Sequence, residues 1–282
     1  SILVVVCSDF RSTTFEETDV PYKVNEPVEP QQRAVIDDDQ LKRMMADSQP
    51  SFFERNRYRL VTLALIAINV AVFALEAVLS GMRIDISTRT LVDMGAMYAP
   101  LVQSPADLYR FVTPMFLHMD LMHLGFNMVA LYSVGEVLER TLGRGNYLVL
   151  YFIAGITGNA VSYAADVLLG GGSAVSAGAS TSVFGLFVAV ALLAVLHKGN
   201  RSLFTQYSKG MLGVIAVNVA YTLLVPNISV SGHLGGALGG LVAMFMIPAA
   251  SLRVPNPVRV VVAVLWVAAL VWLLVSQGVL GV

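Results

Sequence analysis

Residues 178–197 read GASTSVFGLFVAVALLAVLH, a run with no Asp, Glu, Lys or Arg that opens on Gly178-Ala179-Ser180-Thr181-Ser182. At ~1.5 Å per residue a helix of this length reaches about 30 Å, the thickness of a bilayer's hydrocarbon core. It reads as a membrane-crossing helix whose first turn carries hydroxyl groups where lipid offers them no solvent. The pattern repeats in both directions. Further apolar runs lie at about 58–79, 118–138, 147–169, 208–226, 231–250 and 257–279, divided by short polar breaks. Together these are seven expected spans. Without the alternation of a β-barrel, helix is the practical way to satisfy backbone polar groups in lipid.

Composition agrees. The chain has 282 residues, 56% hydrophobic and 13% charged, with mean hydropathy +0.70. Soluble domains carry about a quarter charged residues, so a water-facing surface of this size would go uncoated. Lys and Arg number 18 against 19 Asp and Glu, a net charge of −1 that points to no nucleic-acid partner. The single cysteine, Cys7, excludes an internal disulfide framework and a thiolate metal cluster. The expected fold class is an all-α polytopic membrane protein.

Residues 8–59 hold most of the acids, with Pro21, Pro27, Pro30 and the run Asp37-Asp38-Asp39. Ile2 to Val6 is too short and lacks the basic leader of a signal peptide. The chain does not open on Met, so the N-terminus reads as trimmed. The expected organisation is a cytosolic region and linker over 1–56, six spans over 57–250 and a seventh over 251–282. Gly81 to Leu117 forms a long loop expected in the interface or dipping into the bundle. Basic residues set the orientation. Arg55, Arg57, Arg59, Arg140, Arg144, Lys198, Arg201, Lys209, Arg253 and Arg259 fall at one set of ends, and only Arg83, Arg89 and Arg110 at the other. The N-terminus is therefore expected in the cytoplasm.

Polar groups inside spans default to a functional hypothesis. His123 and Asn127 share a helix face in the second span, at i,i+4. Ser180 opens the fourth, and His233 lies in the sixth within Gly232-His233-Leu234-Gly235-Gly236. Counting back from the cytoplasmic ends, Ser180, His233 and His123 lie roughly 5, 7 and 10 Å below the outer boundary. One level for three sites suggests one constellation. Gly236 and Gly240 form a small-xxx-small pair on the His233 face, and Gly185 with Ala189 another below Ser180, so that backbones can approach closely.

Nucleophilic catalysis is the chemistry such groups permit. A serine hydroxyl needs an adjacent base, which a neutral His233 supplies. The Asn127 amide, a His123 N–H and the Ser180 backbone N–H are candidate donors to an oxyanion. No acid near His233 in sequence completes a triad, so a dyad is expected. Phe184, four residues after Ser180, is placed to pack beneath the imidazole. Ser173 and Ser176 fall in or beside a glycine loop poor for positioning, Ser182 points about 200° away from Ser180, and Gly178 leaves open backbone beside the nucleophile.

These residues resemble the rhomboid intramembrane serine proteases. The likeness covers roughly Arg57 to Pro248 and rests on Tyr109-Arg110, His118, His123-x-x-x-Asn127, Glu139-x-x-x-Gly143, Gly178-x-Ser180, and His233 with Gly236-x-x-x-Gly240. It implies six core helices and an added seventh. It implies that Ser180 is the nucleophile, His233 the general base, and His123, Asn127 and the Ser180 amide the oxyanion hole. Tyr109-Arg110 matches a loop motif anchored at the membrane interface, Glu139 with Gly143 a cytoplasmic-end packing motif, and His118 a structural histidine. Thr181 stands where the family often has glycine, and is expected to narrow the space beside the nucleophile.

The resemblance further implies single-pass membrane proteins as substrates, cut near the outer end of their helix, with no metal or organic cofactor. It suggests a bacterial plasma membrane, with the site open to the extracytoplasmic side, and leaves the oligomeric state open. Two rival readings remain: a non-enzymatic adaptor for transmembrane helices, and a proton-coupled transporter using His123 and His233 as relays.

Overall fold

A computed structural model describes residues 37, 39–40, 51–170, 174–199, 201–210, 212–224 and 229–281. The chain divides into two compact units, Ser1–Gln49 and Pro50–Val282, and the helical bundle is the second. Most of the expected linker, including Ile2 to Val6 and the proline stretch, lies outside the described residues, as does Ser173.

The bundle contains α1 (Leu60–Leu79), α2 (Leu121–Leu142), α3 (Arg144–Leu169), α4 (Ser180–Leu196), α5 (Arg201–Gly210), α6 (Leu212–Leu224), α7 (Val230–Met246) and α8 (Asn256–Ser276). Among the described residues there is no named strand, only isolated bridges such as Met97 with Ser176. Every apolar run of the sequence carries helix. Among the described residues four helices (α1, α2, α3 and α8) are long and apolar enough to cross a membrane. The fourth and sixth runs yield 17-residue helices, α4 and α7, about 25 Å long. Their expected ends at 178 and 250 are taken by turns: Gly178 has φ +137°, and Met246 is followed by Ile247 in extended backbone. The second run begins three residues late because Asp120 caps α2, accepting from the His123 N–H at 2.8 Å. His118 is thereby left in the loop.

Capping also crosses between helices. Arg59 precedes α1 without a side-chain cap. The buried Glu139 of α2 supplies one instead, accepting from the Val61 and Thr62 N–H groups at 3.0 Å each and from Thr62 Oγ1 at 3.1 Å. Those N–H groups have no acceptor within their own helix.

The centre of the bundle is α3, α4 and α7. α7 is small on two faces. A methyl group on Gly236 or Gly240 would overlap the Thr181 carbonyl or the Gly185 backbone of α4. On Gly235 or Gly239 it would meet Val161, Gly158, Thr157 and Ala154 of α3. Backbones can meet this closely only where no Cβ intervenes. Leu150, Tyr151, Val183, Leu186, Leu193 and Met244 fill the core around this contact, all fully buried. α8 lies outside, with Val260, Val261, Val264, Leu265 and Trp272 exposed.

Gly81 to Leu117 dips into the bundle. It holds a short helix, Thr88–Asp93, and three 3₁₀ turns, Ala99–Leu101, Pro105–Phe111 and Thr113–Phe116. Its Met97 and Met115 are fully buried.

Candidate active site

The long loop fixes the turn that precedes α4. Met97 and Ser176 exchange both backbone hydrogen bonds, at 2.9 and 2.8 Å, and the Gly178 N–H donates to the Pro114 carbonyl at 2.8 Å. Ser176 is therefore tied down by the loop, rather than loosely held beside the glycines as the sequence suggested. The loop in turn hangs on α3, through Asn159 Nδ2 to Phe111 O at 2.9 Å and Tyr151 OH to Met115 O at 3.2 Å. Arg110 braces it internally, with Nη1 donating to the Val92 and Ala96 carbonyls at 3.0 Å each. Arg110 is thus a buried strut of the loop, its guanidinium 5.1 Å from the ring of half-exposed Tyr109. At the loop's exposed edge the Ser104 hydroxyl and the Gln103 and Ser104 N–H groups hold the Asp107 carboxyl below its usual range.

Gly178 ends this turn, and Ser180 is the first residue of α4. Its Oγ lies 2.6 Å from His233 Nε2 of α7. Both side chains are buried. The Phe184 ring, one turn below Ser180, stacks on the imidazole with centroids 4.4 Å apart and planes 8° from parallel. Gly236 and Gly240 lie on the same α7 surface, against α4. The other imidazole nitrogen, His233 Nδ1, is 2.8 Å from Thr222 Oγ1 of α6, which also donates to the Asn218 carbonyl at 2.8 Å. The expectation of a bare dyad overlooked this hydroxyl.

His123 and Asn127 of α2 close the opposite wall. Asn127 Nδ2 donates to the His123 carbonyl at 2.9 Å, and Asn127 Oδ1 has no partner among the described residues. A Cβ on Gly178 would stand 2.7 Å from His123 Cε1 and 3.2 Å from Ser180 Oγ. Glycine is thus required here by φ and by space together. His123, Phe126, Asn127, Ser180, Phe184, Asn218, Thr222 and His233 enclose a cavity of about 10 Å³, room for about one water.

One expectation changes. Thr181 does not narrow this cavity: its Cβ and methyl face Gly158 of α3 and Gly232 of α7, because one residue along a helix turns a side chain about 100°. Ser182 is fully buried and faces Gly155 of α3. His118 ties the loop through its backbone, whose N–H donates to the Glu76 carboxylate at 3.1 and 3.2 Å. Its ring lies 5.2 Å from that of His123.

Glu76 was missed, although an ionisable residue inside the first apolar run carried the signal. Thr222 and Asn218 were missed because a hydroxyl and an amide four residues apart are common in helices. Among the described residues no three His, Cys, Asp or Glu side chains gather as a metal site would require.

A bundle with four helices of spanning length among the described residues, and a serine and histidine paired between two shorter ones, is built as a polytopic membrane protein. Residues 105–250 match the family model described as the Rhomboid domain, more than half of the chain, and the chain belongs to the rhomboid family. "Rhomboid protease GluP" of Bacillus subtilis is 35% identical over 196 residues, 69% of this chain and 35% of that one. "Rhomboid-like protease 3" of Toxoplasma gondii is 36% identical over 155 residues, 54% of this chain and 56% of that one. "Putative rhomboid protease YdcA" of Bacillus subtilis is 34% identical over 138 residues, 49% and 66% of the two chains. The chain thus spans between about a third and two thirds of the length of these relatives.

Proposed function

We propose that this protein is an intramembrane serine endopeptidase that cuts single-pass membrane proteins near the outer end of their transmembrane helix. The observation that carries the reading is the 2.6 Å contact between Ser180 Oγ and His233 Nε2 inside an apolar bundle. In the mechanism, Oγ attacks the scissile carbonyl carbon, the carbonyl π pair moves onto oxygen, and the hydroxyl proton passes to Nε2. The tetrahedral oxyanion is held by the Ser180 backbone N–H, His123 and Asn127. Ser180 opens its helix, so that N–H has no intrahelical acceptor and lies at the positive end of the α4 dipole. Collapse of the intermediate returns the proton from Nε2 to the leaving amine, and water then hydrolyses the acyl-serine by the same route in reverse.

The topology proposed with this reading places the N-terminus in the cytoplasm and the site toward the extracytoplasmic side of a bacterial plasma membrane, on the strength of the basic residues. Residues 57–250 act as the catalytic core and 251–282 as an added helix. A cavity of about 10 Å³ admits no peptide, so the substrate must part the walls, and a helical peptide bond must first unwind.

The test is a serine-directed fluorophosphonate with the adduct mapped by mass spectrometry, alongside cleavage of a transmembrane substrate in vesicles. Labelling at Ser180, and loss of cleavage in Ser180→Ala and His233→Ala variants that still insert, is the expected result. Cleavage surviving in Ser180→Ala would remove the assignment.

A further inference from the structure

The fifth apolar run contributes Asn218 and Thr222, four residues apart on α6, both buried and both lining the cavity of the candidate site. The Thr222 hydroxyl has one proton and two neighbours. It lies 2.8 Å from the Asn218 carbonyl, four residues back in its own helix, and 2.8 Å from His233 Nδ1. A carbonyl oxygen cannot donate, so the hydroxyl proton goes to Asn218, the back-bond that threonine makes in helices. Toward His233 the same oxygen can only accept. A nitrogen that donates carries the proton, and in a neutral imidazole the other nitrogen is then the acceptor.

We propose that Thr222 is the positioning residue of the reaction. It holds the His233 proton on Nδ1 and so leaves the Nε2 lone pair facing Ser180. The inference rests on the reading of Ser180 and His233 as the reacting pair. Without such an acceptor the tautomer with the proton on Nε2 competes. In that tautomer Nε2 donates to Ser180 Oγ and cannot receive its proton. Thr222 also acts after the transfer. The imidazolium formed at His233 keeps its Nδ1–H bond to Oγ1, which is then a charge-assisted bond and stronger than before. The role that a buried carboxylate plays in hydrolases with a triad falls here to a neutral hydroxyl polarised by a helix carbonyl. Its effect is correspondingly smaller. Phe184, stacked on one face of the ring, fixes the plane of the imidazole but does not distinguish its tautomers.

The experiment uses the full chain in vesicles with a cleavable transmembrane substrate. Thr222→Val keeps the shape and removes the acceptor, whereas Thr222→Ser keeps the hydroxyl. A hydrogen bond to a charged group contributes about 1.5–3 kcal/mol, and a tenfold rate change is 1.36 kcal/mol. Thr222→Val should therefore lower kcat about 10- to 100-fold with KM little changed, and Thr222→Ser should retain most of the rate. Nitrogen-15 spectra of histidine-labelled protein, assigned by loss of one signal set in His233→Ala, should show a protonated Nδ1 and a bare Nε2 in the parent and Thr222→Ser chains. Thr222→Val should show a mixture of the two forms. Thr222→Ala serves if the valine variant does not accumulate. Equal losses in the serine and valine variants, or a valine variant with the parental kcat and tautomer, would overturn the proposal. Cleavage by Ser180→Ala would instead overturn the reading beneath it.

Discussion

Replacing Glu139 by alanine isolates the cross-helix cap. Three hydrogen bonds end on this carboxylate, two of them from the α1 N–H groups of Val61 and Thr62 at 3.0 Å. Alanine would leave both N–H groups without an acceptor in buried surroundings. Each orphaned donor costs about 1–3 kcal/mol, so the pair costs roughly 2–6 kcal/mol, with about 3 kcal/mol expected once water relieves one of them. At about 2–4 °C per kcal/mol for a chain of this size, Tm should fall by about 6–12 °C. The competing explanation is the ion pair from Arg144 Nε to Glu139 Oε1, 3.7 Å long with the arginine half exposed. A pair of that kind contributes about 0–1 kcal/mol. Arg144→Ala should therefore move Tm by no more than about 4 °C. Thermal melts of the three chains in the same detergent, followed by far-UV circular dichroism, separate the two accounts. Equal losses from Glu139→Ala and Arg144→Ala would refute the cap, as would a Glu139→Ala chain that melts with the parent.

Gly178→Ala should both strain the backbone at φ +137°, at about 1–3 kcal/mol, and push His123 aside. Fluorophosphonate labelling of Ser180 is then expected to slow by about 10²-fold or more, and labelling at the parental rate would contradict the geometry. Gly240→Ala forces α4 and α7 apart against the Gly185 backbone and should cost about 1–3 kcal/mol. Gly125→Ala, with open space where its Cβ would stand, should be neutral or stabilising by up to about 1 kcal/mol; paired melts compare them. The Asp107 carboxyl is held low in the folded chain by Ser104 and by the Gln103 and Ser104 N–H groups. Its stabilising bonds are thus present above the ordinary aspartate pKa of about 4 and lost as pH falls through the lower folded value. Amide exchange at Gln103 and Ser104, corrected for intrinsic rates, should lose protection over that acid range, and Asp107→Asn should abolish the dependence.

What the sequence made legible follows from periodicity and depth. Each apolar run carries helix because length and hydropathy are local properties, and Ser180 and His233 lie at one level because runs four and six cross in the same sense. The stacking partner Phe184 was legible from its spacing of four from Ser180. Pairings set by how neighbouring helices rotate were not. Glu139 reaching the start of α1, the second glycine face of α7 at Gly235 and Gly239, and Thr222 behind His233 all depend on which surfaces meet. The loop from Gly81 to Leu117 was opaque because its 3₁₀ turns obey neither the 3.6-residue nor the two-residue rhythm. Thr181 was misjudged for a similar reason. Its neighbourhood of Ser180 in the chain says little about the α3 and α7 surface that it faces.

The glycine faces of α7 have a consequence for how the protein answers to its surroundings. His233 is three residues from Gly236, and Gly236 and Gly240 rest directly on the main chain of α4. The registration of imidazole and hydroxyl is set by contact between two main chains, with no rotamer in between to relax. The outer sides of α1 and α8 are exposed, whereas this seam is buried. Changes in acyl length or bilayer thickness should therefore tilt the outer helices first, while the spacing of Ser180 and His233 stays insulated from the solvent in which the protein floats.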